Sequence, residues 1–237
     1  MTKKKLNAYK AIFFDAGDTL ITIPASHEIM QAYLSERAFP HDSVQLRSIL
    51  DEAINQFYNH KTGYSNEAVT PASDREFWVK IYRFIMERLG AERYWSDEAI
   101  WRCCHELYDA YVAPEYYALF DDVEEVTQEL LRRGFRLGVV SNFARTLDAI
   151  FARHGIRDRF DPFIVSTEVG LEKPNPAIFR LALDRAGLAA SDVLYVGDHE
   201  TNDLWAPAQV GIDAIRIMRY DHQSGEGIRS LRELLEL

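Results

Sequence analysis

The sequence predicts an α/β protein: a parallel sheet interrupted after its first strand by a largely helical insert. Three observations carry that reading. Residues 11–14 (AIFF) are a short apolar run that ends in the polar turn DAGDT. From residue 116 onward, apolar runs of strand length alternate with segments of helical periodicity. Between them, residues 26–113 hold several helical patterns and no convincing strand.

The first run is too short to cross a membrane and suits a buried parallel strand, with Gly17 marking a tight turn beyond it. Trp78, Ile81, Phe84, Ile85 and Leu89 recur at spacings of three and four, a helical stripe that Gly90 ends. Ser96, followed by Asp97 and Glu98, caps the next helix, which runs through Trp101 towards Tyr111. Residues 61–74, broken by Gly63 and Pro71, read as a loop, with Ser73 or Asp74 capping the helix after it. Val123, Val126, Leu130 and Leu131 then share a helical face that stops at Gly134. Strands are expected at 135–142 (FRLGVVSN), 163–166 (FIVS), 193–198 (VLYVGD) and 213–218 (DAIRIM). Helices are expected at 145–154, at 175–187, from about Thr201, and at 227–236. Such alternation implies right-handed crossovers and a parallel sheet whose carboxyl ends face one crevice. The helical insert would sit over that edge as a lid.

Composition narrows the function. The chain has 237 residues, 47% of them hydrophobic, enough for one or two domains. A formal charge of −10 disfavours nucleic acid as a partner. No segment approaches the roughly 20 apolar residues of a membrane helix. Lys3, Lys4 and Lys5 make a basic start, but Asp15 soon interrupts the apolar run behind them, so no secretory signal is read. Cys103 and Cys104 are adjacent in a predicted helix, a spacing that fits neither a disulfide framework nor a metal site. They read as buried thiols in a reducing, cytoplasmic compartment.

Polar residues follow four of the expected strands: Asp15, then Ser141 with Asn142, then Lys173 before Pro174, then Asp198 with Asp203. Together they form a coherent kit for phosphoryl transfer. Asp15 could attack phosphorus and form an acyl phosphate. Mg²⁺ held by Asp15 and Asp198 would offset the repulsion between carboxylate and phosphate. Ser141 and Lys173 would hold the remaining phosphoryl oxygens.

These residues resemble the haloacid dehalogenase (HAD) superfamily of hydrolases, most of which are Mg²⁺-dependent phosphatases. FFDAGDTL matches the family's first motif at Asp15, Thr19 and Leu20. VVSN is similar to the second through Ser141, EKPNPAIF to the third through Lys173, and VGDHETND to the fourth through Asp198, with Asn202 and Asp203 in place. The resemblance implies a Rossmann-like, doubly wound parallel core at residues 1–22 and 116–237 and a helical cap domain at 23–115. Hinges would lie near 21–25 and 113–117. It further implies Asp15 as nucleophile, and Ser141, Asn142 and Lys173 as ligands of a small phosphorylated metabolite. The metal would be bound by Asp15, the Gly17 carbonyl, Asp198 and Asp203. Asp203 could equally support Lys173 or a metal-bound water.

One departure stands out. The family's phosphatases carry a second aspartate, a general acid and base, where this chain has Gly17, and Asp18 stands where glycine is usual. Such a group is typically worth about 10² to 10⁴ in rate. Asp18 is then either a replacement proton carrier or a turn residue accepting a local hydrogen bond. His199 reads as a loop histidine and Glu200 as solvated. Three other activities compete with phosphate-ester hydrolysis. Dehalogenation needs no cation, and Asp198 with Asp203 argues against it. Phosphonate cleavage needs a cap lysine, and the cap's only lysines, Lys61 and Lys80, have no recognisable context for that role. A protein without turnover could bind phosphate or hold a long-lived aspartyl phosphate.

Overall fold

The computed structural model describes residues 4–59 and 67–237. They divide into two compact units, one of residues 4–22, 67–70 and 117–237, the other of residues 23–59 and 71–116. Lys3, Lys61, Gly63 and the expected loop as far as residue 66 lie outside the described residues.

The first unit is built on seven strands: β1 (Ala11–Phe14), β2 (Ile21–Thr22), β3 (Ala118–Leu119), β4 (Arg136–Ser141), β5 (Phe160–Val165), β6 (Val193–Gly197) and β7 (Asp213–Arg216). Five of them form a parallel sheet in the order β5-β4-β1-β6-β7, while β2 and β3 pair as a separate antiparallel ribbon. Strand β1 is central, and all four of its side chains are buried. Ile12 and Phe14 enter one core and Ala11 and Phe13 the other, as the two-residue period of a strand requires when both faces are covered.

The second unit is helical over its described residues: α1 (Ser26–Glu36), α2 (Ser43–Ile54), α3 (Pro71–Arg88) and α4 (Asp97–Tyr111), with a π-type turn at Asn55–Asn59. Met30, Leu34, Leu46, Ile81, Ile85 and Leu107 lie in its core, and Trp78, Phe84 and Leu89 pack partly buried against it. The Ser96 hydroxyl accepts from the Ala99 N–H at 3.3 Å, capping α4. Pro71 opens α3, so residues 71–74 belong to the helix and not to a loop. Proline suits that first position because the N–H it lacks would have no partner there. Cys103 and Cys104 are free and buried, and burial pushes their thiols up to about 11 and about 12. No described helix in either unit is long and apolar enough to cross a membrane.

The remaining helices flank the sheet: α5 (Val123–Arg132), α6 (Leu147–Arg153), the short α7 (Ser166–Val169), α8 (Ala177–Ala186) and the single turn α9 (Ala206–Ala208). Helices α5 and α6 share the core of Ile12 and Phe14, and α8 shares that of Ala11 and Phe13. Some expectations need correction. Leu131 is 39% exposed, because the buried stripe of α5 runs through Val123, Val126, Thr127 and Leu130. The helix expected from Thr201 is a wide π-type turn, Glu200–Trp205, before α9. Pro207 lies just beyond it and offers no N–H to close an ordinary turn. The closing segment is a 3-10 helix at Leu231–Glu236, opened by a capping box of Ser230 and Glu233.

Candidate active site

Register places the polar residues. Phe14 lies opposite Val139 of β4 and Val196 of β6, so the chain leaves β1 at Asp15 just as its neighbours end at Ser141 and Gly197. The Asp15 N–H still donates to the Val196 carbonyl at 2.9 Å, which fixes the residue to the sheet edge. In an open α/β sheet the carboxyl edge is where ligands bind.

Lys173 arrives from the loop after α7 and is buried. Asn142 clamps its backbone, donating to the Lys173 carbonyl at 2.8 Å and accepting from the Lys173 N–H at 2.7 Å. The side chain of Asn142 therefore contacts Lys173 as a neighbouring strand would. The Lys173 ammonium has three acceptors for its three protons: Asp203 Oδ1 at 2.6 Å, Asp15 Oδ1 at 2.8 Å and the Tyr195 hydroxyl at 3.1 Å. Burial opposes its charge, but the two carboxylates outweigh burial and its pKa is raised. Burial pushes the Asp15 carboxyl up to about 6, against the pull of Lys173. The Tyr195 hydroxyl in turn donates to the Val140 carbonyl at 2.8 Å.

Asp203 is fully buried. Its Oδ1 takes Lys173 and its Oδ2 takes the His199 N–H at 3.0 Å. Gly197 makes that close approach possible, since a Cβ there would lie 2.4 Å from the Asp203 carboxyl carbon. Asp198 differs. No donor among the described residues reaches its carboxylate, and burial together with Asp203 and Asp15 raises its pKa far above the ordinary value. Carboxylate oxygens of Asp15, Asp198 and Asp203 lie within 4.8 Å of one another. One ammonium thus faces three carboxylates, one of them without a hydrogen-bond donor, and the Gly17 carbonyl, two residues beyond Asp15, accepts no hydrogen bond from the described residues. An all-oxygen donor set with surplus negative charge fits a hard divalent cation.

Ser141 is buried at the same edge, and its hydroxyl makes no hydrogen bond to the described residues. Asp18 sits at φ +50°, and its Oδ1 accepts from the Tyr220 hydroxyl at 2.5 Å instead of from a local backbone N–H. Burial raises its pKa against that hydrogen bond. A Cβ added at Gly17 would meet nothing within 4 Å. His199 turns its Nδ1 to the N–H groups of Thr201 and Asn202, each at 3.2 Å, and caps the π-type turn. Glu200 is largely solvent-exposed and pairs with Arg216 at 2.6 Å.

Sequence reasoning missed three residues. Tyr195 could have been found, since its alternation within VLYVGD points it inward. Tyr220 and Arg219 follow β7 and reach the first turn across some 200 positions, and no local pattern announces them.

The family model described as haloacid dehalogenase-like hydrolase matches residues 9–211. The chain belongs to that family. It is 26% identical over 211 residues to haloacid dehalogenase-like hydrolase domain-containing protein 3 of Homo sapiens, covering 88% of this chain and 82% of that protein. It is 27% identical over 239 residues to the pyrimidine 5'-nucleotidase YjjG of Escherichia coli, covering 95% and 96%. Among solved structures, the HAD-hydrolase YfnB of Bacillus subtilis, bound to magnesium, aligns over 98% of both chains with a TM-score of 0.72 and 20% identity, a likeness of fold. The five-stranded parallel sheet with helices on both faces is accordingly the Rossmann-like core of a HAD hydrolase.

Proposed function

We propose that this HAD hydrolase is a Mg²⁺-dependent phosphatase of small phosphorylated metabolites, acting through an aspartyl phosphate on Asp15. One observation carries the reading. The Asp15 carboxylate lies at the sheet's carboxyl edge, 2.8 Å from a buried ammonium, and close to an Asp198 carboxylate that no donor among the described residues reaches. Asp15, Asp198 and the Gly17 carbonyl would hold the cation, with both Asp203 oxygens already engaged by Lys173 and His199. When bound, Mg²⁺ would supply positive charge that offsets the repulsion between these carboxylates and a phosphoryl group.

The chain's own residues do the rest. Asp15 forms a bond to phosphorus as the bond to the leaving oxygen breaks. Lys173 and the unpartnered Ser141 hydroxyl offset charge on the phosphoryl oxygens as it develops. Water then attacks phosphorus, releasing phosphate and restoring Asp15. Asn142 serves this scheme by setting the Lys173 backbone. The second unit, residues 23–59 and 71–116, takes the part of the family's cap domain.

Gly17 favours a second reading, a protein that is phosphorylated on Asp15 and releases phosphate slowly or not at all. Phosphate release from a panel of small phosphate esters separates the two. Turnover is expected with Mg²⁺, abolished by EDTA, restored by added Mg²⁺, and absent in Asp15→Asn. Turnover retained in Asp15→Asn would remove the nucleophile assignment, and turnover indifferent to EDTA would remove the metal. Stoichiometric labelling of Asp15 without release would establish the second reading.

A further inference from the structure

We infer that this site takes phosphoryl donors whose leaving group departs as a stable anion, acyl phosphates and phosphoanhydrides, in preference to alkyl phosphate esters. The inference rests on the aspartyl-phosphate reading above and specifies its substrate class.

The reason is the commitment of every nearby carboxyl, ammonium and imidazole group; the Ser141 hydroxyl is too weak an acid to replace them. Gly17 contributes open space, not a carboxylate. Asp18 is the next acid along the turn, but its carboxylate is bound to the Tyr220 hydroxyl, which also lies 2.9 Å from the Thr22 hydroxyl. The three Lys173 protons are shared among Asp203, Asp15 and Tyr195. His199 Nδ1 receives two backbone N–H groups and has no lone pair left for a proton. Asp203 is closed off by Lys173 and His199, and Asp198 would hold the proposed cation.

The first step must therefore balance without a proton donor. An Asp15 oxygen bonds to phosphorus, the bond from phosphorus to the leaving oxygen breaks, and the electron pair leaves on that oxygen. An alkoxide cannot leave so easily, because its conjugate acid is about as weak an acid as water. A carboxylate can, because its conjugate acid has a pKa of about 4. Protonating a poor leaving group is the task a general acid performs, typically for about 10² to 10⁴ in rate. With acyl phosphates that contribution is not needed in this first step, the one kcat/KM reads, so Gly17 costs nothing there; loss of the base in the second step is common to every substrate.

The experiment compares kcat/KM for acetyl phosphate, a series of aryl phosphates with leaving groups of pKa from about 4 to about 10, and an alkyl phosphate such as glycerol phosphate. Parent and Gly17→Asp are measured side by side with Mg²⁺. The expected parent rate falls steeply as the leaving group becomes more basic. Gly17→Asp is expected to raise the alkyl phosphate rate by about 10² to 10⁴ and to leave acetyl phosphate within a few-fold, flattening the slope. The added side chain has room, as nothing lies within 4 Å of its Cβ. A flat parent slope would overturn the inference, since some other group would then be protonating the leaving oxygen. So would a Gly17→Asp variant that improves all substrates equally. If the variant were not obtained, the parent slope alone would decide. No turnover of any member, acetyl phosphate included, would instead remove the aspartyl-phosphate reading on which the inference stands.

Discussion

At the scale of single residues, the turn after β1 shows why exchanging two neighbours is not a neutral swap. Asp18 occupies the left-handed region at φ +50°, where glycine is at ease and where aspartate is among the few other residues tolerated. Its carboxylate is carried to Tyr220, so a carboxylate moved one position along the turn does not take up the place vacated at Gly17. Lys173 illustrates the opposite case, a residue whose surroundings are complete. Tyr195 is the one neutral acceptor of its ammonium, and without that hydroxyl one buried N–H has no partner. Tyr195→Phe is expected to destabilise the protein by about 1 to 3 kcal/mol, the cost of an unsatisfied buried polar group. Urea unfolding measures this, and a variant as stable as the parent would show that the hydroxyl is not a structural partner of Lys173.

At the scale of elements, the joint between β6 and the π-type turn carries three site residues in a short span. Asp198 leaves the strand, His199 caps the turn with its ring, and Asp203 folds back beneath them onto the His199 N–H. The fold-back is possible because Gly197 presents no side chain. Gly197→Ala would force its Cβ against the Asp203 carboxyl, which backbone and Lys173 hold in place. Overpacking of this kind costs about 1 to 3 kcal/mol. Thermal unfolding should show the loss together with a fall in phosphate release. Wild-type behaviour in both would mean that the turn can yield without disturbing Lys173.

At the scale of the whole first unit, a buried ion pair ties distant segments together. Arg219 donates to Asp122 Oδ2 at 2.7 Å and Oδ1 at 2.9 Å, and to the Thr19 carbonyl at 2.6 Å. Asp122 also accepts from the Ser230 hydroxyl at 2.7 Å and the Leu231 N–H at 2.8 Å. The first turn, the start of α5 and the closing 3-10 helix thus meet at one carboxylate. Burial pushes the Asp122 carboxyl up, but Arg219, Ser230 and Leu231 outweigh it and the net pKa is lowered. A carboxyl lowered on folding contributes stability that is present above its unfolded pKa and lost as pH falls through its folded one. Asp122→Asn leaves Arg219 without its counter-charge, so it is expected to cost about 3 to 5 kcal/mol near neutral pH. The gap from the parent should begin to narrow as pH falls below about 4, where the unfolded chain's carboxyl takes up its proton, and close as the folded carboxyl does so at lower pH. Chemical denaturation of both proteins across pH would expose a constant gap, the result that contradicts this account.

Much of the fold and part of the candidate site are legible in the chain itself, for a reason that Asp15, Ser141 and Asp198 share. Each terminates an apolar run of strand length, and a parallel sheet brings all such ends to one edge whatever the details of packing. Burial periodicity is a local property, so β1, β4, β6 and the cap of α4 at Ser96 can be read without a structure. Partnerships are not local. That the Asn142 amide is turned to the Lys173 backbone, and that Asp198 alone of the three carboxylates lacks a donor, follow from register and loop path. The bonds from Tyr220 to Asp18 and from Arg219 to Thr19 join positions some 200 residues apart. The sequence by itself determined the α/β class, the strand ends and the absence of a carboxylate at position 17. Only the tertiary structure decided which protons and lone pairs around that position are already taken, because hydrogen-bond partners are chosen by distances in space that no local pattern records.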